Sequence, residues 1–399
     1  MKHFAYETET RKREIFFKEP ESFNKFTDKE LLSYALGAAL YMPAVKDSIA
    51  KDVVEQKYPE LTAMVIDLED AVSDHLIAEA EIRLVDHIQT IFHALEEQQI
   101  TIDALPLIFV RVRDPEQMRR VTTSLGSLQC VLTGYVFPKF SYETGAQYLD
   151  ILQTNNTGDR VLYGMPILES SEIMYKESRM EALLNIKKLV DSYEPLILNI
   201  RIGATDFSSF YGIRRKVDST IYEVSVIRDC ITDILNLFNR QDGYVISGPV
   251  WEFFYKEQLP LISKLKVTPF QERSERTAKN KRLENMNQYI EGLINEVQLD
   301  KLNGIVGKTI IHPTHIKPVH SVYTVTHEEY MDALSILNHS EAGVLKSSYE
   351  NKMNEIKPHY NWAKRILLRA KAFGVLNENQ DFTRLLMEKQ EEKAIHEVN

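Results

Sequence analysis

Cysteine is nearly absent from this chain. Cys130 and Cys230 are the only two in 399 residues, too few for a disulfide framework, so a reducing cytoplasm is the expected compartment. Long apolar runs are missing too. No segment approaches the ~18–20 apolar residues that span a bilayer, so no membrane role is expected. The opening MKHFAYETETRKREIFF has no apolar stretch of the kind that marks a secretory signal. There is also no excess of positive charge. Forty-eight Lys and Arg stand against 58 Asp and Glu, a net charge of −10. A broad nucleic-acid or anionic-membrane surface is thereby excluded as the main partner, while a local basic pocket is not. Two glycine motifs fail as well. No G-x-G-x-x-G follows the first apolar segment, where MPAVKDS stands instead. Gly307-Lys308-Thr309 is not a phosphate loop, because position 302 is Leu where the leading Gly is required.

What is present is a core-forming composition, 44% hydrophobic and 27% charged, and a repeat of short β-type segments. These run over Leu36 to Pro43, Ala63 to Val72, Leu107 to Arg113 and Gly134 to Phe140, then Leu162 to Ser170, Leu196 to Gly203, Gly243 to Val250 and Gly304 to Pro313. Between them lie amphipathic stretches. In Ile221 to Phe238, residues Val224, Ile227, Ile231, Ile234 and Leu235 fall at helical i, i+3, i+4 spacing. Eight strands alternating with helices predict an α/β fold, a closed (β/α)₈ TIM barrel with a helical C-terminal extension. The expected organisation is an N-terminal arm over 1–33, the barrel over 34–320 with an insertion at about 251–303, and helices over 321–399 that could form a lid.

A barrel of this type builds its active site at the C-terminal ends of its strands. There the sequence puts Asp67-Leu68-Glu69-Asp70, Arg111 and Arg113, Pro138-Lys139, Glu169, Asp206, and finally Lys308 and His312. Arg111 and Arg113 share one face by the period-2 alternation of a strand. Glu169 and Asp206, on neighbouring strand ends, suit a hard divalent ion, Mg²⁺ or Mn²⁺, which takes few protein ligands and leaves room for water and substrate oxygens. His312 and His315 form the one zinc-like pair, but a strand-to-loop turn rarely aims both rings at one point. Glu69 and Asp70 read equally well as rim partners of Arg111 and Lys139. Asp206 could equally cap a helix. Arg214-Arg215-Lys216 is by default a solvated loop, and is otherwise the place for substrate phosphates.

The ordered set LYMPA, IDLEDAV, FVRVR, FPKFS, PILES, IGATDF and GKTIIHPTHI resembles the citrate lyase β-subunit and malyl-CoA lyase family, the broader HpcH/HpaI aldolase group. The similarity extends over about residues 36 to 320. Within that group the chain looks most like the divergent carbon–carbon bond lyase barrels associated with tellurite-resistance and stress gene clusters. The resemblance implies Glu169 and Asp206 as Mg²⁺ ligands and Arg111 as the holder of an oxoacid carboxylate. It implies Glu69 and Asp70 as the acidic pair that orders water and basic groups, with Lys139 in support. It also implies a lyase or aldolase that works through a metal-stabilised enolate on a small anionic substrate (an oxoacid, an acyl-CoA or a phosphorylated compound), and a homo-oligomer. Two departures point away from a coenzyme A thioester. Arg113 stands where relatives have Asn, and YVISGPV lacks their Asp-rich strand end. The alternatives are a carbon–carbon bond-forming enzyme of stress-linked biosynthesis and a non-catalytic ligand-binding barrel.

Overall fold

The computed structural model describes residues 1–158, 161–254, 278–339, 344–347, 349 and 353–387. All eight expected strands are present, each shorter than its apolar segment. They are β1 (Ala38–Pro43), β2 (Ala63–Asp67), β3 (Leu107–Arg111), β4 (Gly134–Phe137), β5 (Tyr163–Leu168), β6 (Ile200–Ile202), β7 (Ile246–Ser247) and β8 (Lys308–Ile310). Every neighbouring pair is parallel, from β1–β2 round to β6–β7, and β8 lies beside β1. A parallel bridge between Gly248 and Lys308 closes the ring. This is a (β/α)₈ barrel.

Short strand-to-helix turns keep the mouth compact. After β3, Asp114 caps the helix Pro115–Leu125, its carboxylate accepting from Gln117 N at 2.7 Å, with Pro at the first helical position. After β4, Ser141 and Thr144 form a reciprocal capping box at the start of Tyr142–Asn155. The amphipathic stretch 221–238 divides into a short 3₁₀ turn, Ile221–Glu223, and the helix Ser225–Phe238, which buries Ile227, Ile231 and Ile234 against the barrel.

The stretch expected as an insertion contains the helix Ala278–Leu302, which leads into β8, while residues 255–277 lie outside the described residues. Its C-terminal half is fastened to the barrel wall by buried charge. Lys308 donates to Glu296 at 2.9 Å and to Asp300 at 2.8 Å, and all three side chains are sealed from solvent. Lys308 is therefore the first residue of β8 and points outward to this helix, not into the mouth.

The chain's two ends close the other face of the barrel. The expected arm holds a helix, Glu9–Ile15, and a short strand, Phe16–Lys18, that pairs antiparallel with Val375–Leu376. His3, Phe4, Ile15 and Phe23 are buried, so this segment is a plug: its few apolar residues lie under the barrel floor. The helices His327–Asn338 and Ile356–Phe373 lie on the same side. Arg365 donates to the carbonyls of Asn239 and Arg240, just beyond the C-terminal end of the helix Ser225–Phe238. His320 accepts from Ala38 N at the start of β1, at 3.1 Å. The helices expected as a lid thus sit at the N-terminal ends of the strands, opposite their own mouth. The charged tail 388–399 lies outside the described residues.

Candidate active site

The mouth is organised around Asp67, the last residue of β2 and fully buried. Its two oxygens accept from Glu69 N at 3.0 Å and Ala71 N at 3.1 Å, which folds the 67–71 turn. The same oxygens take a bidentate pair from Arg111, Nε and Nη2 each at 2.6 Å. Arg111 is the last residue of β3 and in register with Asp67, so the two ends meet directly. Its Nη1 reaches Glu69 Oε2 at 2.9 Å and Asp70 Oδ2 at 3.4 Å. Burial works against the charge, yet the Asp67 contact outweighs it and holds the guanidinium above its ordinary value.

Glu69 is buried and Asp70 half exposed. Lys139 Nζ donates to Glu69 Oε1 and lies 3.6 Å from Asp70. Burial raises the proton affinity of Glu69 in spite of both cations. For Asp70 the burial penalty is outweighed by the Glu69 hydrogen bond and by Arg111 and Lys139, so it stays the more acidic of the two. Lys139 adopts a left-handed backbone, φ 47°, uncommon for a residue with a side chain. That turn aims its N–H at Glu169 Oε1, 2.8 Å away.

Glu169 follows β5 and is buried. Burial and then the charge of Asp206 push its carboxyl up to about 8. Asp206, in the first turn of the helix Ala204–Ser209, is raised as well, first by burial and then by Asp70. Gly203 makes this approach possible, since a Cβ there would lie 2.1 Å from Glu169 Oε2. The glycine of IGATD is thus a requirement of space. Among the described residues, no three His, Cys, Asp or Glu side chains converge as a metal cage. The donor set is two carboxylates that repel each other, with the buried, unpartnered Ser170 hydroxyl beside Glu169 in the chain. Such a set fits a hard divalent cation with open positions and does not fit zinc.

Six of the nine expected site residues, Glu69, Asp70, Arg111, Lys139, Glu169 and Asp206, are gathered at this mouth. Arg113 and Arg215 are not. β3 ends at Arg111, so strand alternation does not extend to Arg113. Its guanidinium turns outward to Asp74 at 2.9 Å and to the carbonyls of Leu68 and Val72, where it braces the 68–74 loop. Arg215 is buried over the Trp251 ring, 4.7 Å away, and held by Glu252 at 2.6 Å, Glu296 and the Val250 carbonyl. Those partners engage its Nε, Nη1 and Nη2. Arg214 is exposed on the same loop. The rings of His312 and His315 are 6.1 Å apart. His312 stacks on Phe254, and burial takes His315 down to about 3. They form no metal site among the described residues.

Two participants escape the motif reading. Asp67 looks like one carboxylate of three and is in fact the anchor of Arg111. Arg201, in the middle of β6, lies inside the barrel, where its guanidinium is 5.7 Å from the Tyr41 ring and donates to Thr309 Oγ1 at 2.6 Å. Arg111 sits 5.2 Å from the same ring. The signal for Arg201 was a charge inside the apolar run LILNIRIG.

The chain belongs to the C–C bond lyase family of the TIM-barrel fold, whose model matches residues 30–375. No curated protein matches it. Among solved structures it is similar to a citrate lyase from Burkholderia xenovorans LB400, at 15% identity and TM-score 0.54, covering 88% of this chain and 96% of the other. It is also similar to the CitE protein of Mycobacterium tuberculosis in complex with magnesium, acetoacetate and coenzyme A, at 18% identity and TM-score 0.50, covering 84% and 99%. At such identities the likeness is one of fold.

Proposed function

We propose that the chain is a Mg²⁺-dependent lyase that cleaves a carbon–carbon bond of a small oxoacid. The observation that carries this reading is the Glu169–Asp206 pair, a buried acid raised by burial and by Asp206 and a half-buried acid raised by burial and by Asp70, beside Arg111 and Lys139. Glu169 and Asp206 would hold the metal, which when bound acts as a Lewis acid on an α-oxo carboxylate. Magnesium in the similar CitE structure supports the choice of ion.

The chain's own groups have separable tasks. Arg111, held on its Nε–Nη2 edge by Asp67 and at Nη1 by Glu69 and Asp70, is a fixed positive charge at the mouth toward which a substrate carboxylate would be drawn. A preorganised guanidinium and the Lys139 ammonium face the negative charge that develops on the carbonyl side when the bond breaks. Glu69, its proton affinity raised by burial and its carboxylate hydrogen-bonded by Lys139, is the carboxyl suited to exchange a proton with substrate, while Asp70 stays charged, and Glu69 and then Asp70 raise the proton affinity of Lys139. The same site run backward forms the bond. A reducing cytoplasm and a homo-oligomer complete this reading. It is supported by the free thiols of Cys130 and Cys230 and by the exposed rim aromatics Tyr175, Phe210 and Tyr211.

The test is Mg²⁺ and Mn²⁺ titration of the purified protein beside Glu169→Gln and Asp206→Asn. A second arm screens citryl-, malyl- and 4-hydroxy-2-oxo acids for cleavage. Unchanged metal binding in both variants would sink the metal assignment. Absence of pyruvate, oxaloacetate, glyoxylate or acetyl-thioester products across the panel would sink the lyase substrate class.

A further inference from the structure

Arg201 is 1% exposed, and arginine is almost never buried to this degree without an anion. Its guanidinium keeps its charge in any environment, and a buried charge is costly unless paired. Yet its polar contacts among the described residues are one hydroxyl, Thr309 Oγ1, and the Met165 thioether at 4.0 Å, while its Nε has no partner. The Tyr41 hydroxyl beside it is buried and unpartnered as well. Two orphaned polar groups therefore lie together in one part of the barrel interior, among side chains of β1, β5, β6 and β8.

That space lies directly under the acids. Arg201 is in register with Ile167, two residues before Glu169, and Tyr41 is in register with Val65, two residues before Asp67. At about 3.3 Å per residue, the Arg201 layer is roughly 7 Å below the carboxylates. Arg111 cannot serve a second anion, because Asp67, Glu69 and Asp70 already occupy most of its donors. The Met165 thioether beside Arg201 belongs to a flexible side chain that is readily reoriented.

We propose that Arg201, with Thr309 and the Tyr41 hydroxyl, is the binding site for a second negatively charged group of the substrate. The substrate is then an oxoacid with two anionic ends, one at Arg111 and the other beneath it. This deepens the lyase reading and rests on it for the identity of the first end.

The experiment is calorimetric titration of the full chain in Mg²⁺ with pyruvate and with oxaloacetate, for wild type, Arg201→Met and Arg201→Lys. Wild type is expected to favour the two-carboxylate acid by about tenfold or more, the range of one charge-assisted contact. In Arg201→Met the ratio should fall to about 1 with Mg²⁺ affinity unchanged, and Arg201→Lys should fall between and serves if the Met variant does not fold. A preserved preference in both variants, or none in wild type, overturns the proposal. If neither acid binds at all, the lyase reading has failed, and melting curves in EDTA decide Arg201 separately. Malonate should then raise the melting temperature of wild type above that in chloride of equal ionic strength, and should not do so for the variants. Equal rises in all three overturn the anion site.

Discussion

The two ends of the barrel solve opposite problems. At the mouth, like charges are crowded together: Glu169 is raised to about 8 by burial and Asp206, and a glycine is required beside it for space. At the floor, neutral rings are packed together. His3 stacks on Phe373 with ring centroids 4.6 Å apart, lies 4.1 Å from His320, and burial lowers the proton affinity of both histidines. The mouth stores unfavourable interactions that a metal ion and an anion would relieve, and the floor contributes the packing that tolerates them. In barrels the C-terminal face carries chemistry and the opposite face stability, and here the mouth crowds carboxylates while the floor packs neutral rings.

The sharpest way to break this comparison is to neutralise one mouth acid. Glu169→Gln or Asp206→Asn should cut lyase activity by about 10³-fold or more, since the metal's Lewis-acid contribution amounts to several kcal/mol. Melting temperature should hold or rise, because a repulsion is removed. A matching loss of stability in thermal denaturation would erase the distinction between the ends.

The converse change is Phe373→Ala at the floor. It should cost about 3–5 kcal/mol of unfolding free energy in urea, as for other large buried aromatics, and leave Mg²⁺ affinity untouched. Gly203→Ala returns to the mouth with a smaller effect. Displacing Glu169 by its new methyl should lower Mg²⁺ affinity roughly 10- to 100-fold by calorimetry, the usual range for disturbing a ligand's support.

Acid separates the two ends further. His3 falls to about 3 in the fold from an ordinary 6.5, so between those values the unfolded chain binds a proton that the folded chain does not. Stability contributed by the neutral ring is intact above 6.5. It is lost as pH falls, by about 1.4 kcal/mol per pH unit down to the folded value. His320 shifts in the same direction. Urea midpoints at pH 7 and pH 5 should therefore fall together with pH, and less steeply in His3→Gln. The smallest effect is expected of Arg113→Ala. It removes hydrogen bonds to the 68–74 loop, about 1 kcal/mol, and should change activity less than about threefold, within the range of indirect substitutions.

Much of this was legible in the sequence because it is local. Each apolar segment bounded by a turn became a strand, and the acids that follow β2, β5 and β6 had to emerge at the same end once the strands ran parallel. The readings of Arg113 and Arg215 failed for a local reason and a distant one. Arg113 lies beyond the end of β3, where alternation of faces stops. Arg215 is claimed by Glu296, far along the chain. The N-terminal segment reads as an arm because it is charged and its apolar residues have no clear period of their own. They are buried by Phe373, His320 and Leu376, partners from the other end of the chain.

By itself, the sequence determined the eight-strand barrel and the composition of its mouth, since hydrophobic period and strand direction are properties of short segments. Only the tertiary structure decided which charges oppose each other. It gave Asp67 to Arg111, turned Arg113 and Lys308 away, buried Arg201 without a carboxylate and folded both termini beneath the floor. Those outcomes depend on distances between residues far apart in the chain, and electrostatic energy follows distance and burial, neither of which is written in residue order.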